Sequence, residues 1–463
     1  MKLAELKNAS ILLLGLGREG KSTYRWLRAK FPENEIGVAD QLTLEQIGGE
    51  FAETLRGDGR VKLHLGADYL KGLKEYNVVV KSPGISVTAP ELKELERTGK
   101  RITSHTAIFF ANCPGIIVGI TGTKGKSTTA SLIYAVLKGE SAKTHLVGNI
   151  GRPALDALVD ADEETMFVYE LSSHQLVELR QSPQVAVLLN IVPEHLDYYE
   201  SFEQYADAKE NITRYQTEQD VLVYDADGEI PCAMAARSVA WKAGISIETA
   251  RQPGCYLDGE WLVWSDMGGR GKVVAATDVP LEGRFNLLNV AAAVAVGKVM
   301  GVESAKIVAA VRGFRPLEHR LELVGTYGGV TYYNDSIATV PEAAIGAMDA
   351  LGDRVETILL GGPDRGLNFL CLAKRLADSK VKTLILFPGT GARIWNSLCA
   401  VDAGAAQRFR HYCVNSMEEA VALAREHTGQ GKICLHSPAS PSFGLFKDYR
   451  ERGELFKELV WRG

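Results

Sequence analysis

The sequence predicts an α/β fold in which mainly parallel sheets are built from βαβ units. Short apolar runs rich in Val, Ile and Leu alternate with helix-sized segments along the chain. Two of these runs are followed by glycine-rich turns that lead directly into helical patterns. Parallel strands need a crossover connection that is usually a helix, so this alternation favours parallel sheets. The predicted strands cover residues 11–14, 78–80, 116–118, 185–189, 357–360, 383–387 and 433–435.

Chain length predicts about three domains, because 463 residues exceed what one hydrophobic core usually serves. Fresh strand-and-loop patterns begin near His105 and near Pro316. We therefore expect domains at residues 1–104, 105–316 and 317–463. Residues 228–279 are richer in glycine and aromatics and less periodic, which predicts a small antiparallel element packed onto the central domain.

Composition excludes several classes of protein. A net charge of −5 and a pI near 6.1 argue against a nucleic-acid binder. No apolar stretch reaches the ~18 residues that a membrane helix needs, and no signal peptide precedes the first strand. The seven cysteines are scattered without a C-x-x-C pair, which indicates reduced thiols and no zinc site. We expect a cytoplasmic protein without a membrane or nucleic-acid partner.

The most informative segment is Gly-Ile-Thr-Gly-Thr-Lys-Gly-Lys-Ser-Thr at residues 119–128. It lies between an apolar strand and a helical pattern, the context of a phosphate-binding loop. Lys126 is predicted to reach the β- and γ-phosphates of ATP or GTP, and Ser127 or Thr128 to bind Mg²⁺. Ile120 stands where the loop pattern has its first glycine, so an ordinary Gly/Lys turn is the alternative.

A second glycine-rich turn, G-x-G-x-x-G at residues 15–20, follows the first predicted strand. Asp40 lies twenty residues beyond Gly20, where a dinucleotide site carries its ribose-binding acid. Taken alone, this pattern favours an NAD(P)-dependent oxidoreductase. However, such a turn binds the diphosphate and does not recognise the nicotinamide, so it can hold any diphosphate-linked nucleotide. Two phosphate-binding turns in one chain favour an ATP-dependent enzyme that acts on a nucleotide-linked substrate.

Candidate metal ligands follow the phosphate-binding loop. Glu170 ends an apolar strand, where a carboxylate beside a phosphate loop can bind Mg²⁺. His195 follows the next strand and is either a ligand of a second metal or an ordinary loop histidine. Lys209 lies in a helical pattern, where a surface lysine is the default interpretation.

Taken together and in this order, the motifs resemble the Mur ligases of peptidoglycan synthesis. The resemblance covers essentially the whole chain. It rests on the segments 119–128, 148–151 (Gly-Asn-Ile-Gly), 170–175 (Glu-Leu-Ser-Ser-His-Gln), 190–197, 286–289, 317–320 (Leu-Glu-His-Arg), 334–336 (Asn-Asp-Ser) and 437–453. It implies an N-terminal Rossmann-like domain for a UDP-linked substrate, a central P-loop ATPase domain with a mainly parallel sheet, and a C-terminal Rossmann-like α/β domain.

The resemblance also implies roles for individual residues. ATP is implied at Gly122, Thr123, Lys124, Gly125, Lys126, Ser127, Thr128, Asn286, Asn289, Arg320 and Asp335. The UDP substrate is implied at Gly15, Gly17, Arg18, Glu19, Asp40, Ser82, Gly84, Asn149 and Ser172. Two Mg²⁺ sites are implied at Ser127, Thr128, Glu170, His195 and Lys209, the last if carbamylated. Lys126, His195 and Lys209 are the implied catalytic residues.

The implied reaction joins glutamate to UDP-N-acetylmuramoyl-L-alanine through an acyl phosphate, in a monomeric enzyme. The glutamate pocket is implied at Thr339, Arg365, Ser442 and Tyr449. This pocket departs from the usual pattern, since Ile337 replaces a lysine and Arg365 another lysine. D-Glutamate is the favoured substrate, and an L-glutamate-adding variant is the alternative.

Three other functions compete with this one. A folylpolyglutamate synthase is a related amide ligase, but it does not account for the turn at residues 15–20. An oxidoreductase remains the alternative from another class. A non-catalytic nucleotide sensor has no need for metal positions at both Glu170 and His195.

Overall fold

The computed structural model describes residues 1–86, 89–194 and 198–462. It divides the chain into two compact units. The first unit comprises Met1–Val279 and Leu287–Gly313, and the second comprises Pro280–Asn286 and Phe314–Gly463. The three predicted domains, with their two internal boundaries, are not tested by this division and stay a prediction.

The first unit begins with a five-stranded parallel sheet. Its strands are β1 (Ile11–Leu14), β2 (Ile36–Asp40), β3 (Val61–Leu65), β4 (Val78–Lys81) and β5 (Arg101–Ser104). The helices are α1 (Leu3–Leu6), α2 (Arg18–Lys30), α3 (Leu44–Ile47), α4 (Gly49–Gly57), α5 (Pro90–Arg97) and α6 (His105–Asn112). The strand order β3-β2-β1-β4-β5 reverses direction between β1 and β4. Ligands bind at such switch points in open α/β sheets.

The first unit continues into a nine-stranded sheet of order β14-β13-β12-β11-β10-β9-β6-β8-β7. Its strands are β6 (Ile116–Thr121), β7 (Thr144–Gly148), β8 (Met166–Glu170), β9 (Val185–Leu188), β10 (Val221–Asp225), β11 (Trp241–Ser246), β12 (Gly254–Asp258), β13 (Trp261–Asp266) and β14 (Gly269–Ala275). The helices are α7 (Lys126–Lys138), α8 (Ser173–Leu176), α9 (Phe202–Arg214), α10 (Glu229–Arg237), α11 (Phe285–Val299) and α12 (Ser304–Arg312). The first two residues of α11 are assigned to the second unit.

The predicted antiparallel element at residues 228–279 is confirmed only in part. Strands β12, β13 and β14 pair antiparallel, but β10, β11 and β12 continue the parallel sheet. The element therefore extends the central sheet at its edge and does not pack onto the domain as a separate layer. Sequence periodicity could not distinguish these arrangements, because edge-to-edge pairing is made by backbone groups.

The second unit holds a six-stranded sheet of order β15-β16-β20-β17-β18-β19. Its strands are β15 (Glu322–Tyr327), β16 (Val330–Asn334), β17 (Val355–Gly362), β18 (Thr383–Gly389), β19 (Arg410–Cys413) and β20 (Ile433–His436). The helices are α13 (Pro341–Leu351), α14 (Leu370–Ala377), α15 (Thr390–Val401), α16 (Ala403–Ala406), α17 (Met417–His427) and α18 (Tyr449–Trp461). The β15–β16 pair is antiparallel, and the remaining pairs are parallel.

Buried apolar side chains hold these layers together. Strands β6, β8 and β9 are almost wholly buried, as expected for parallel strands covered by helices on both faces. Apolar clusters cover both faces of the sheet in the second unit. All seven predicted strands form, and all seven cysteines are free thiols. Among the described residues, no helix is long and apolar enough to cross a membrane.

Candidate active site

The glycine-rich turn at residues 15–20 joins β1 to α2 and lies at the switch point of the first sheet. Gly15 has a φ of +93°, and a Cβ there would lie 2.7 Å from Ser82 Oγ. A Cβ on Gly20 would lie 2.0 Å from the Gly15 carbonyl oxygen, whereas Gly17 has open space around it. The turn therefore needs glycine twice for close packing and leaves one face open at the amino end of α2. That end can receive a phosphate.

Asp40 lies beside this turn, as predicted. Its Oδ2 accepts a hydrogen bond from the Leu16 backbone N–H at 2.6 Å, and its Oδ1 accepts from Leu42 N–H at 2.9 Å. Ser82 donates to the Gly15 carbonyl oxygen at 2.9 Å, and the exposed Gly84 follows in the same loop. The residues predicted around the first phosphate turn are thus brought together at the carboxyl ends of β1, β2 and β4.

Arg18 and Glu19 face the central part of the first unit. The Arg18 guanidinium donates to the Gly148 carbonyl oxygen and, at 3.3 Å, to that of Gly151. Glu19 Oε1 accepts from Gln175 Nε2 at 2.5 Å. Burial raises the pKa of the Glu19 carboxyl, and the hydrogen bond from Gln175 opposes that rise. The two side chains join the first turn to the loops that carry Asn149 and Ser172.

Those two loops adjoin Glu170 at the end of β8. Asn149 is exposed, and its backbone N–H donates to the Glu170 carbonyl oxygen at 3.2 Å. Ser172 caps α8 and accepts from Gln175 N–H at 3.2 Å, while its own N–H donates to Gln175 Oε1 at 2.8 Å. The first turn is therefore linked to the Glu170 strand end through Gln175. Sequence reasoning did not single out Gln175. Its place three residues after Ser172, the spacing of a capping box, was the available signal.

The predicted phosphate-binding loop joins β6 to α7 at the second switch point. Gly122 and Gly125 have φ values of +153° and +83°. A Cβ on Gly125 would lie 2.5 Å from Asn289 Oδ1, which accepts from Thr129 Oγ1 at 3.0 Å. Thr123 N–H donates to the Asn190 carbonyl oxygen at 2.7 Å, and Lys124 Nζ pairs with Glu194 at 2.5 Å. These contacts fix the loop against the end of β9.

Two lysine amines converge on this loop. Lys126 Nζ donates to the carbonyl oxygens of Gly122 and Thr123 at 3.0 and 2.8 Å. Lys209 Nζ donates to the same Gly122 oxygen at 2.8 Å, and Lys209 is only 1% exposed. Burial, followed by the charge of Lys126, holds the pKa of the Lys209 amine well below its usual range. The default interpretation of Lys209 as a surface lysine is therefore wrong, because α9 turns this side chain inward.

Four of the five predicted metal ligands, namely Ser127, Thr128, Glu170 and Lys209, lie around the same loop. Glu170 is 3% exposed at the end of β8, and the start of α7 carries Ser127 and the 5% exposed Thr128. Carboxylate and hydroxyl oxygens are the ligand types that Mg²⁺ prefers. His195 lies outside the described residues, so its predicted metal role stays a prediction.

In the second unit, the predicted residue Asp335 directly follows the carboxyl end of β16. Asp335 accepts from the Leu321 N–H at 3.0 Å and from Ser437 Oγ at 2.8 Å. Burial raises the pKa of Asp335 to about 6, with Arg320 opposing the rise. Asn286 also belongs to this unit and donates to the Glu282 carbonyl oxygen at 2.6 Å.

The four residues predicted to bind the amino acid lie in loops, or at the start of a helix, in the second unit. Ser442 is 3% exposed in the loop after β20, and Tyr449 begins α18. Arg365 is exposed after β17, with its guanidinium 5.5 Å from the Phe443 ring centre. Thr339 is half-buried after β16. Since β16, β20 and β17 are adjacent parallel strands, their carboxyl ends bring these loops to one edge of the sheet.

Sequence reasoning missed Arg452. This arginine is 1% exposed on α18 and donates to oxygens of Ser336, Ser440 and Pro441. The only indication in the sequence was its place near the end of segment 437–453, one of the segments on which the family resemblance rests.

Two phosphate-binding turns in one unit, with a buried lysine and a carboxylate beside the second, define a class of protein that binds two phosphorylated ligands. Three family models match the chain: "Mur ligase MurD-like, N-terminal domain" over residues 9–104, "Mur ligase middle domain" over 120–297, and "Mur ligase, glutamate ligase domain" over 319–440.

Curated relatives match over almost their whole length. The chain is 34% identical to a UDP-N-acetylmuramoylalanine–D-glutamate ligase of Acetivibrio thermocellus, with 98% of this chain and 97% of the relative covered. It is 32% identical to a UDP-N-acetylmuramoyl-L-alanine–L-glutamate ligase of Xanthomonas axonopodis pv. citri, with 99% and 97% covered. The chain belongs to the Mur ligase family.

Solved structures share the fold. The MurC ligase of Thermotoga maritima has a TM-score of 0.60 at 17% identity, with 98% of this chain and 100% of that chain covered. A MurF structure from Acinetobacter baumannii has a TM-score of 0.61 at 15% identity, with 99% and 93% covered. The oxidoreductase alternative is not supported, because the G-x-G-x-x-G turn lies within the MurD-like N-terminal match.

Proposed function

We propose that this chain is an ATP-dependent ligase that adds glutamate to UDP-N-acetylmuramoyl-L-alanine during peptidoglycan biosynthesis. The observation that carries the proposal is the phosphate-binding loop, where Lys126 and Lys209 meet at the Gly122 oxygen in a chain related over its full length to glutamate ligases. D-Glutamate is the favoured amino acid and L-glutamate the alternative, since relatives of both kinds match. We further propose a monomeric, cytoplasmic enzyme with domains at residues 1–104, 105–316 and 317–463.

The proposed reaction activates a poor acyl donor. The alanine carboxylate of the UDP substrate attacks the γ-phosphorus of ATP, which forms an acyl phosphate and releases ADP. The glutamate amine then attacks the acyl carbon and loses a proton, and phosphate leaves with one oxygen of the original carboxylate. Lys126 is proposed to hold the β- and γ-phosphates. The first-turn N–H groups of α2 are proposed to hold the diphosphate of UDP.

The residues around the loop fit a Mg²⁺ ion. Glu170 and Thr128 lie buried beside a loop whose conformation at residue 125 is unstrained only for glycine. We propose Ser127, Thr128 and Glu170 as one set of ligands, and His195 with a carbamylated Lys209 as a second. When bound, the metal would neutralise charge on the phosphates.

Lys209 is suited to carbamylation. Carbamylation requires a neutral amine that attacks CO₂, and burial favours the neutral form of Lys209. The product is an anion that the neighbouring Lys126 attracts, whereas Lys126 would repel a protonated Lys209.

An isotope experiment tests the proposed reaction. UDP-N-acetylmuramoyl-L-alanine with ¹⁸O in its alanine carboxylate is incubated with ATP and either enantiomer of glutamate. We expect one ¹⁸O atom in the released phosphate, because the carboxylate oxygen leaves with the phosphoryl group. Phosphate without ¹⁸O, formed together with the ligated product, would contradict the acyl-phosphate route. The absence of product with both enantiomers would overturn the proposed function.

A further inference from the structure

Arg452 is a buried cation without a carboxylate partner among the described residues. Its Nε donates to Ser336 Oγ at 3.0 Å, and its Nη2 donates to the Ser336 carbonyl oxygen at 2.7 Å. Its Nη1 donates to the carbonyl oxygens of Ser440 and Pro441 at 3.1 and 2.9 Å. Burial lowers the pKa of Arg452 to about 10, so the guanidinium is still charged at neutral pH. Within the part of the chain that the structure describes, its hydrogen-bond partners are all neutral oxygens.

Lys457, on the same helix, is also a buried cation, but it has carboxylate partners. It is 3% exposed, yet its amine lies 3.2 Å from a carboxylate oxygen of Glu322 and 2.9 Å from one of Glu454. A buried cation is normally paired in this way, because desolvation of an unpaired charge costs several kcal/mol. The unpaired charge of Arg452 therefore points to an anion from outside the chain.

The hydrogen bonds of Arg452 join the loops that follow β16 and β20. Ser336 Oγ also donates to the Tyr449 carbonyl oxygen at 2.7 Å, so it connects Arg452 to the start of α18. The loop that follows β17 begins close to Arg452 as well. A Cβ on Gly362, the last residue of β17, would lie 2.3 Å from the Pro441 oxygen and 3.5 Å from Arg452 Nη1.

We propose that Arg452 is a positioning residue for the incoming dicarboxylic amino acid. It fixes the loops of Ser442 and Tyr449, and its uncompensated charge favours an anionic substrate at this edge of the sheet. This inference rests on the proposed function, because Ser442 and Tyr449 are predicted to bind glutamate only if the chain is a glutamate ligase. In this role, Arg452 supplies a positive charge in a pocket where Ile337 replaces the lysine of the usual pattern.

Steady-state kinetics with Arg452→Met and Arg452→Lys test the proposal. We expect Arg452→Met to raise the KM for glutamate by about tenfold or more, the loss expected for hydrogen bonds to a charged group. The KM for ATP should change by less than about twofold. Arg452→Lys should restore part of the affinity for glutamate, because it keeps the charge but not the planar set of donors. The ratio of kcat/KM for glutamate to kcat/KM for glutamine should be lower in Arg452→Met than in the wild type.

Two further variants make the test specific. Arg408→Met is the matched control, since Arg408 also donates to two backbone carbonyl oxygens of the second unit, those of Leu376 and Ala377. It should leave the KM for glutamate unchanged. Ser336→Ala removes one oxygen that binds Arg452 but keeps the charge, so it should raise the same KM by a smaller factor. It replaces Arg452→Met as the deciding variant if that protein does not fold.

The outcomes separate the two proposals. Wild-type protein that is inactive with either enantiomer of glutamate would overturn the proposed function. An active wild type whose KM for glutamate is unchanged in both Arg452→Lys and Ser336→Ala would overturn only the role of Arg452. A proportional fall of kcat with every KM unchanged would also overturn it.

Discussion

Asp335 gives a pH-dependent stability that can be measured without substrate. Its carboxyl is buried and accepts hydrogen bonds from Leu321 N–H and Ser437 Oγ. Substitution of Asp335 by Asn removes the titrating group but keeps the shape. The amide oxygen can accept from Leu321, and the amide nitrogen can donate to the Ser437 hydroxyl, which can rotate.

The size and sign of the effect follow from the pKa. Burial raises the pKa of Asp335 from 3.8 to about 6. This rise of about two pKa units corresponds to about 3 kcal/mol in the free energy of unfolding, at ~1.4 kcal/mol per unit, by which the folded protein is stabilised when Asp335 is protonated. Because the folded protein holds the proton more tightly, this stabilisation is present below the unfolded pKa and is lost as pH rises through about 6. Asn is neutral throughout, so Asp335→Asn should gain about 3 kcal/mol relative to wild type between acid and neutral pH.

Thermal unfolding of both proteins between pH 4 and pH 8 measures this gain. The variant should be relatively more stable at pH 8, by roughly 6–12 °C in the transition of a unit of this size. Asp364→Asn is the control, because Asp364 is exposed and its hydrogen bond from Gly366 N–H and its pairing with Arg393 hold its pKa below the usual value. It should show no gain at high pH. A constant difference between Asp335→Asn and wild type across the whole pH range would show that the Asp335 carboxyl does not titrate with a raised pKa in the folded protein.

Three further predictions concern the phosphate-binding loop. Lys126→Ala should abolish ATP-dependent turnover without lowering the melting temperature by more than a few degrees; unchanged phosphate release would contradict its role. Lys209→Ala should lose activity, and added short carboxylates should restore part of it by replacing the carbamate; a folded variant without rescue would count against carbamylation. Gly125→Ala should weaken ATP binding by about tenfold or more, because the new Cβ meets Asn289 Oδ1 at a φ of +83° that costs about 1–2 kcal/mol. Gly346→Ala, where nothing lies within 4 Å, is its control and should bind ATP normally.

The sequence predicted those parts of the fold and site that depend on local pattern. All seven expected strands form, and both glycine-rich turns join a strand to a helix. These features are recognisable because side-chain periodicity and glycine conformation act over a few residues. The same holds for the grouping of Asp40 and Ser82 at the first turn, since strand ends in a parallel sheet meet at one edge.

The sequence could not predict contacts that join distant segments. Lys209 lies on a helix whose pattern suits a surface lysine, but its amine binds Gly122, 87 residues earlier in the chain. The hydrogen bond between Glu19 and Gln175 spans 156 residues, and that between Arg452 and Ser336 spans 116. No local pattern marks such partners. The parallel pairing of β11 with β12 was missed for the same reason.

The most direct test of the central claim is phosphate release from ATP in the presence of UDP-N-acetylmuramoyl-L-alanine, with D-glutamate and L-glutamate in separate reactions. We expect release that requires both the UDP substrate and glutamate, with one enantiomer, D-glutamate by our proposal, strongly preferred. Turnover with L-glutamate alone would keep the ligase and reverse the stereochemistry. Release with neither enantiomer would contradict the account, because a different amino acid or acyl donor would then be required.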